Sequence, residues 1–201
     1  DVGAYDGRSA IEYLKEFPKS KIYSFEPTKT SFEKLKKNFG VHSNITIFNT
    51  AFSDFKGEAS FHVNSSGLTN SLLKLSNTKI NNEIYNLKEE TTEKVAVTTL
   101  DIFTAEMNID NINILKIDVQ GAELNVLKGA ENLLMNKKID ALFVEVEFLK
   151  IYADQPLFHD ISSFLYQYDY HLYSLYNLTS SKDGQMVFGD ALFLSSELMN
   201  Y

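Results

Sequence analysis

The chemistry open to this chain lies in carboxylates placed where apolar segments end. The first residues, Asp1-Val2-Gly3-Ala4-Tyr5-Asp6-Gly7, set an acid two positions before a G-x-x-x-G pair. Glycine has no Cβ, so the backbone can turn tightly there and approach a ligand closely. The dinucleotide fingerprint is G-x-G-x-x-G, which cradles a pyrophosphate. Here the third glycine is missing, and Asp1 would repel a pyrophosphate but attract a cation. S-adenosylmethionine (SAM) carries an ammonium and a sulfonium and no phosphate. Asp1, Gly3, Ala4, Tyr5 and Gly7 therefore favour SAM over a nicotinamide dinucleotide. Glu26, followed by Pro27, closes the next strand, where an acid accepts hydrogen bonds from both ribose hydroxyls. The Asn49-to-Asp54 loop should face the adenine, with the backbone at Ala51 or the side chains of Ser53 and Asp54 reading the exocyclic amine.

A hydroxyl acceptor also needs a group to take its proton. Asp118, Glu145 and Glu147 are the candidates. Asp118 ends an apolar segment and opens a helix, so it either faces the methionine part of SAM and the acceptor or caps the helix by accepting backbone N–H groups. Glu145 and Glu147 are two apart on a strand and share a face. Lys116, in an apolar strand, needs a partner; pairing it with Glu145 would leave Glu147 and Asp118 as the better bases. These acids form no tight metal-ligand cluster, and the histidines His42, His62, His159 and His171 are scattered.

The elements that must position these residues alternate between helix and strand. Apolar spacing predicts helices over 8–17, 29–39 (capped by Thr28 or Thr30), 100–107, 121–135 and 156–168, and strands over 21–25, 45–48, 59–63, 95–98, 112–117, 141–146, 170–176 and 186–195. Residues 64–94, rich in Asn, Ser, Thr, Lys and Glu, read as an insertion or mobile flap with a short helix around 79–88. Its hydroxyls and Gly67 suit a lid over a substrate. The alternation implies an α/β sandwich whose ligands bind beyond the carboxyl ends of the strands. Asp1 and Val2 read as the end of a first strand, with further residues expected upstream, in a single domain over 1–201.

Composition narrows the field. The chain has 201 residues, 44% apolar and 23% charged, ordinary for a globular domain. A net charge of -8 argues against a general nucleic-acid binder, which needs a basic surface. The absence of cysteine removes thiolate chemistry and fits a reducing, cytoplasmic setting. No apolar run reaches the length of a membrane span. The tyrosines between 164 and 176 suit packing or an oligomer surface more than sugar stacking.

Several segments together resemble the FkbM-type methyltransferases. They are Asp1-Val2-Gly3-Ala4, Phe25-Glu26-Pro27, Ala51-Phe52-Ser53-Asp54, Thr99-Leu100-Asp101, Leu115 to Glu123, Val126 to Ala130 and Val144-Glu145-Val146. The resemblance implies a three-layer Rossmann-like class I fold with a mostly parallel seven-stranded sheet and an antiparallel C-terminal hairpin. It also implies SAM as donor, S-adenosylhomocysteine (SAH) as product, and O-methylation of a sugar, glycan or natural-product hydroxyl. Tyr5 stands where the family usually has Asn, and Gln120 where it usually has Glu, so no catalytic carboxylate is carried over at 120. The alternatives are a non-catalytic SAM-fold assembly module that self-associates and, more weakly, a nicotinamide-dependent oxidoreductase. An N/D-P-P-Y/F motif of nucleic-acid N-methylation is absent; its place reads Asp118-Val119-Gln120-Gly121.

Overall fold

The computed structural model describes residues 1–39, 42–77 and 87–199. Helices α1 (Arg8–Glu16) and α2 (Lys29–Phe39) flank strand β1 (Ile22–Phe25), and β2 (Ile45–Phe48) pairs with β1 in parallel. Strands β3 (Ala51–Phe52), β4 (Gly57–Asn64) and β5 (Glu89–Thr98) form a separate sheet in the order β3-β5-β4. Then follow α3 (Leu100–Met107), β6 (Ile112–Ile117), α4 (Glu123–Lys128), α5 (Glu131–Met135), β7 (Ile139–Glu147), α6 (Phe158–Gln167), β8 (Tyr170–Ser180), β9 (Met186–Ser195) and α7 (Ser196–Met199).

The main sheet is joined by one residue. Val2 makes parallel bridges to Phe25 of β1 and to Ile117 of β6, and so links the β1–β2 pair to the four strands ordered β6-β7-β9-β8. This corrects the expected seven-stranded, mostly parallel sheet. The sheet is smaller and mixed, because β9 pairs antiparallel with both β7 and β8. The closing antiparallel hairpin is present as expected.

Alternation along β1 sends its side chains to two cores. Ile22 packs with Ala10 of α1 and with Leu35 and Phe39 of α2 on one face. Phe25 packs with residues of α3 to α6 on the other, where Leu127, Leu134, Ile161 and Leu165 are fully buried. The ring of Phe25 is wedged against Phe52, Phe103 and Phe48 at centroid distances of 4.6, 4.9 and 5.3 Å. Such pairs contribute about 0.5–1.5 kcal/mol each beyond area burial. They fix the end of β1 that carries Glu26.

The single helix expected over 121–135 is two short helices. The chain breaks at Gly129, where a Cβ would lie 2.1 Å from the Ser53 carbonyl oxygen. Asp101 then caps α5, accepting from the backbone N–H groups of Asn132 and Leu133 at 3.0 and 3.1 Å. Strand β5 begins at Glu89, earlier than the apolar pattern shows, because its first half is an exposed, polar partner of β4. Most of the helix expected around 79–88 lies outside the described residues. Among the described residues no helix is long and apolar enough to cross a membrane.

Candidate active site

The glycine turn is held by backbone contacts. Gly3 and Ala4 both donate N–H to the Phe25 carbonyl, at 3.1 and 2.9 Å. At Gly3 the φ is +83°, and a Cβ would sit 1.8 Å from the carbonyl oxygen of Asp118, so only glycine lets the turn lie against the end of β6. Gly7 serves packing: a Cβ there would strike the Phe39 ring at 1.9 Å. Tyr5, at φ 48°, turns its N–H toward Glu26 Oε2 at 3.1 Å.

Glu26 is only 7% exposed, and its carboxylate is well supplied with donors. Thr28 donates to Oε1 through its backbone N–H at 3.0 Å and its hydroxyl at 2.7 Å. Burial raises the Glu26 pKa, and these bonds together with the Tyr5 N–H work against that rise. Thr28 does stand at the start of α2, its carbonyl accepting from Phe32 N at 2.9 Å, but its hydroxyl is spent on Glu26. Asn49, on the loop after β2, donates to the carbonyls of Glu26 and Pro27 at 2.9 and 2.8 Å and fastens that corner.

The ends of β6 and β7 gather a second group of acids. Lys116 pairs with Asp118 Oδ2 at 3.2 Å and Asp1 Oδ1 at 3.4 Å, not with Glu145 as expected. The side-chain amide of Gln120 donates to Asp118 Oδ1 at 3.1 Å and Glu145 Oε2 at 2.7 Å. Asp118 does not cap α4, whose N-terminus has no side-chain cap; Glu123 instead closes the turn before that helix, its Oε1 accepting from Val119 N at 2.9 Å and Gly121 N at 3.1 Å. Glu123 is fully buried, and burial first, with neighbouring Asp118 adding to it, pushes its pKa up to about 7. Glu147 is 2% exposed, and its Oε2 has no hydrogen-bond partner among the described residues. Burial raises the pKa values of Glu145 and Glu147 well above the carboxylate range, reinforced by Asp118 at Glu145 and by Glu123 at Glu147.

These two groups of acids face one cavity of about 350 Å³. Its walls include Gly3, Tyr5, Glu26, Pro27, Ala51, Asp118, Glu145 and Glu147 among the residues singled out in the sequence. Asp1, Ala4, Gly7, Ser53 and Asp54 lie off its walls. Asp1 is turned to Lys116, Ala4 is buried under the turn, and Ser53 is tied through its N–H to Thr98 O at 3.0 Å. Thr50 and Phe52 complete the wall beside Ala51, and Gly67 to Asn70 close it from the 64–94 segment. No Lys, Arg or His occurs among the described lining residues. Tyr166, Tyr173 and Tyr176 are exposed elsewhere.

Sequence reasoning passed over Glu123, Tyr152 and Gln155. The signal for Glu123 was present, since it ends the Asp118-to-Glu123 run around two backbone N–H groups that need an acceptor. Nothing in the local pattern marks Tyr152, whose hydroxyl partners are distant in the chain, and Gln155 acts within its own loop. Gln155 Oε1 accepts from Ile151 N at 2.6 Å and Tyr152 N at 3.0 Å, which shapes the loop after β7.

A sheet with helices on both faces, and a cleft lined by acids at the carboxyl ends of β1, β6 and β7, defines a Rossmann-like α/β protein. The family model described as methyltransferase FkbM domain matches residues 1–172, and the chain belongs to that family. It is 28% identical over 165 residues to a 2-O-methyltransferase NoeI of Sinorhizobium fredii, covering 79% of this chain and 64% of that protein. It is 26% identical over 148 residues to Methyltransferase 1 of Beauveria bassiana, covering 66% of this chain and 57% of that protein. The chain thus spans about three fifths of the length of these curated relatives. In fold it is similar to a crystal structure of methyltransferase FkbM from Methylobacillus flagellatus, with a TM-score of 0.59 and 16% identity over 96% of this chain and 42% of that one.

Proposed function

We propose that this protein is a SAM-dependent methyltransferase acting on a hydroxyl of a sugar, glycan or small natural product. The carrying observation is a single cavity with a hydrogen-bonded acid at one end, three acids at the other and no cationic side chain among its described lining residues. The residues fit a cationic donor without phosphate, and Glu147 Oε2 is buried without a hydrogen-bond partner among the described residues. A dinucleotide pyrophosphate would meet Glu26, and Asp118 paired to Lys116, with no cationic side chain among the described lining residues to hold it, which counts against the oxidoreductase reading. The 2-O-methyltransferase relative supports a hydroxyl acceptor.

SAM supplies a methyl group on a sulfonium and leaves as SAH. The protein's part is to hold, orient and deprotonate. Three of the roughly four lone-pair sites on the Glu26 carboxylate are filled by Thr28 and Tyr5, leaving one for a ribose hydroxyl. Thr50, Ala51 and Phe52 form the adenine wall, in place of the side chains of Ser53 and Asp54. Asp118, steadied by Lys116 and Gln120, faces the methionine part. Glu147 takes the acceptor proton on its Oε2, with Glu145 alongside. Both carboxyls tend to stay neutral in the empty cavity, and positive charge placed beside them favours the ionised form. The base is therefore poised only in the loaded site. Gly67 to Asn70 exclude water.

Titration calorimetry with SAM and SAH tests the donor site, and transfer of a radiolabelled methyl group to neutral hydroxylated acceptors tests the reaction. Saturable binding of both ligands is expected. No heat and no thermal shift with either would overturn the reading.

A further inference from the structure

We propose that Tyr152 is a positioning residue that ties the 65–77 segment to the acid cluster through Gln120. The tie rests on the methyltransferase reading only for what the cluster does, and its geometry stands apart from it.

Tyr152 is 1% exposed, and its hydroxyl lies 2.8 Å from the Thr69 carbonyl oxygen and 3.2 Å from Gln120 Oε1. Both are acceptors, so one phenolic proton serves two carbonyls. The orientation of the Gln120 amide is set from its other end. Its NH₂ group offers two donors, and Asp118 and Glu145 accept both. Every polar atom of the Gln120 side chain is thus engaged, and its backbone is held at φ 58°, a conformation that costs a non-glycine residue about 1 kcal/mol or more. A strained residue whose amide bridges two acids and whose carbonyl meets a buried phenol acts as a keystone between them.

The tyrosine itself is held on two sides. Its ring lies against Gly121, where a Cβ would approach it to 2.9 Å. Its backbone forms an antiparallel bridge with Leu75, flanked by Ser76 N to Ile151 O at 2.9 Å and Ala153 N to Lys74 O at 2.8 Å. Ser71 adds a second strap by donating its hydroxyl to the Gln120 carbonyl at 2.7 Å. The turn at Gly67–Thr69, which lines the cavity, therefore cannot shift without disturbing the hydroxyl that meets the Gln120 carbonyl. The amide at 120 can do this because it brings no third charge between Asp118 and Glu145.

Tyr152→Phe keeps the wedged ring and removes the hydroxyl; Gln120→Met approaches the tie from its other end. Amide hydrogen exchange of the ligand-free protein is the first measurement. Each variant should speed exchange in both 65–77 and 118–121, Tyr152→Phe by about fivefold, as for about one net hydrogen bond, and Gln120→Met by more, since it also removes the donors to Asp118 and Glu145. The second measurement is SAH dissociation by stopped flow, which should quicken by a similar factor. Tyr152→Phe in a Gln120→Met background should cost less than it does alone, because only the Thr69 bond is left for it to remove. The tie is overturned if exchange changes only in 65–77, if neither segment changes, or if the two substitutions add independently. Wild-type protein that fails to bind SAH would sink the methyltransferase reading and leave the exchange result to decide the tie.

Discussion

The two ends of the cavity are built on opposite principles. At the end of β1, Glu26 is buried but supplied with three donors, and its corner is fastened by Asn49. At the ends of β6 and β7, burial raises the pKa values of Glu123, Glu145 and Glu147, with Asp118 adding to each and Glu123 adding at Glu145 and Glu147; Glu123 and Glu147 each keep a buried oxygen without a partner among the described residues. Buried polar groups are normally satisfied, because leaving one unpaired costs about 1–3 kcal/mol. The first end is finished in the empty protein and suits hydroxyl donors. The second is left electrostatically incomplete, and positive charge brought beside it would complete it. Such division is what a donor with a neutral ribose and a cationic sulfur would require.

The contrast is tested hardest at Glu147. Glu147→Gln keeps the shape and removes the base, so methyl transfer to an acceptor identified by the radiolabel assay should fall by about 10²–10⁴-fold. SAH affinity should stay within about threefold in calorimetry, since the donor's ribose is held elsewhere. A rate loss below tenfold would move the proton to another group. Glu26→Ala should do the reverse. It removes a hydrogen bond to a charged acceptor worth about 1.5–3 kcal/mol, so SAH should bind about 100-fold more weakly. An SAH affinity within fivefold of wild type would remove Glu26 from the ribose.

Glu123 sharpens the contrast without any ligand. Its pKa in the folded protein is about 7, against an ordinary 4.5. Below pH 4.5 the group is protonated whether the chain is folded or not. Between about 4.5 and 7 the folded chain keeps a proton that the unfolded chain releases, so stability falls as pH rises, and the loss is complete above 7. The shift corresponds to about 3 kcal/mol. Glu123→Gln retains an oxygen for Val119 N and Gly121 N but carries no charge. It should raise the free energy of unfolding at pH 8, from denaturant titration, by up to that amount, and leave it nearly unchanged at pH 4.5. Because the Glu145 and Glu147 pKa values are raised in the same direction, a smaller slope should remain. A variant with the wild-type slope would show that the strain lies wholly in the other two acids.

Much of this architecture was legible because local pattern and tertiary role coincide. Ile112–Ile117 is apolar and buried toward its carboxyl end, and the spacing of Leu35 and Phe39 matches the buried face of α2. Glu26, Asp118, Glu145 and Glu147 stand at strand ends, where alternation and the sheet rule place them on one cavity. What escaped depends on contacts between distant segments. The break at Gly129 is set by the Ser53 carbonyl, which no helical spacing encodes. Lys116 was paired with Glu145 on proximity across the β6–β7 pairing, yet Gln120 takes Glu145, and the lysine turns to Asp118 and Asp1. Tyr152 meets Thr69 from far along the chain, so its hydroxyl has no local signature.

The smallest expected effect concerns the loop after β2. Asp54 reads from the sequence as an adenine contact, yet in the fold it is exposed and off the cavity wall, receiving a hydrogen bond from Ser53 Oγ at 3.1 Å. Ala51 and Phe52 line the wall themselves, with Phe52 locked against Phe25. Asp54→Asn removes a charge that faces water, and charge at such sites changes little because solvent screens it. SAH affinity should therefore change by less than about twofold, and thermal stability should stay within the roughly 0.5 kcal/mol typical of surface substitutions. Ala51→Leu, which adds bulk to the wall itself, should weaken SAH far more. If Asp54→Asn instead cost tenfold in SAH binding while leaving the fold unchanged, the adenine would be read by this side chain, and the loop would have to close over the cavity when the donor binds.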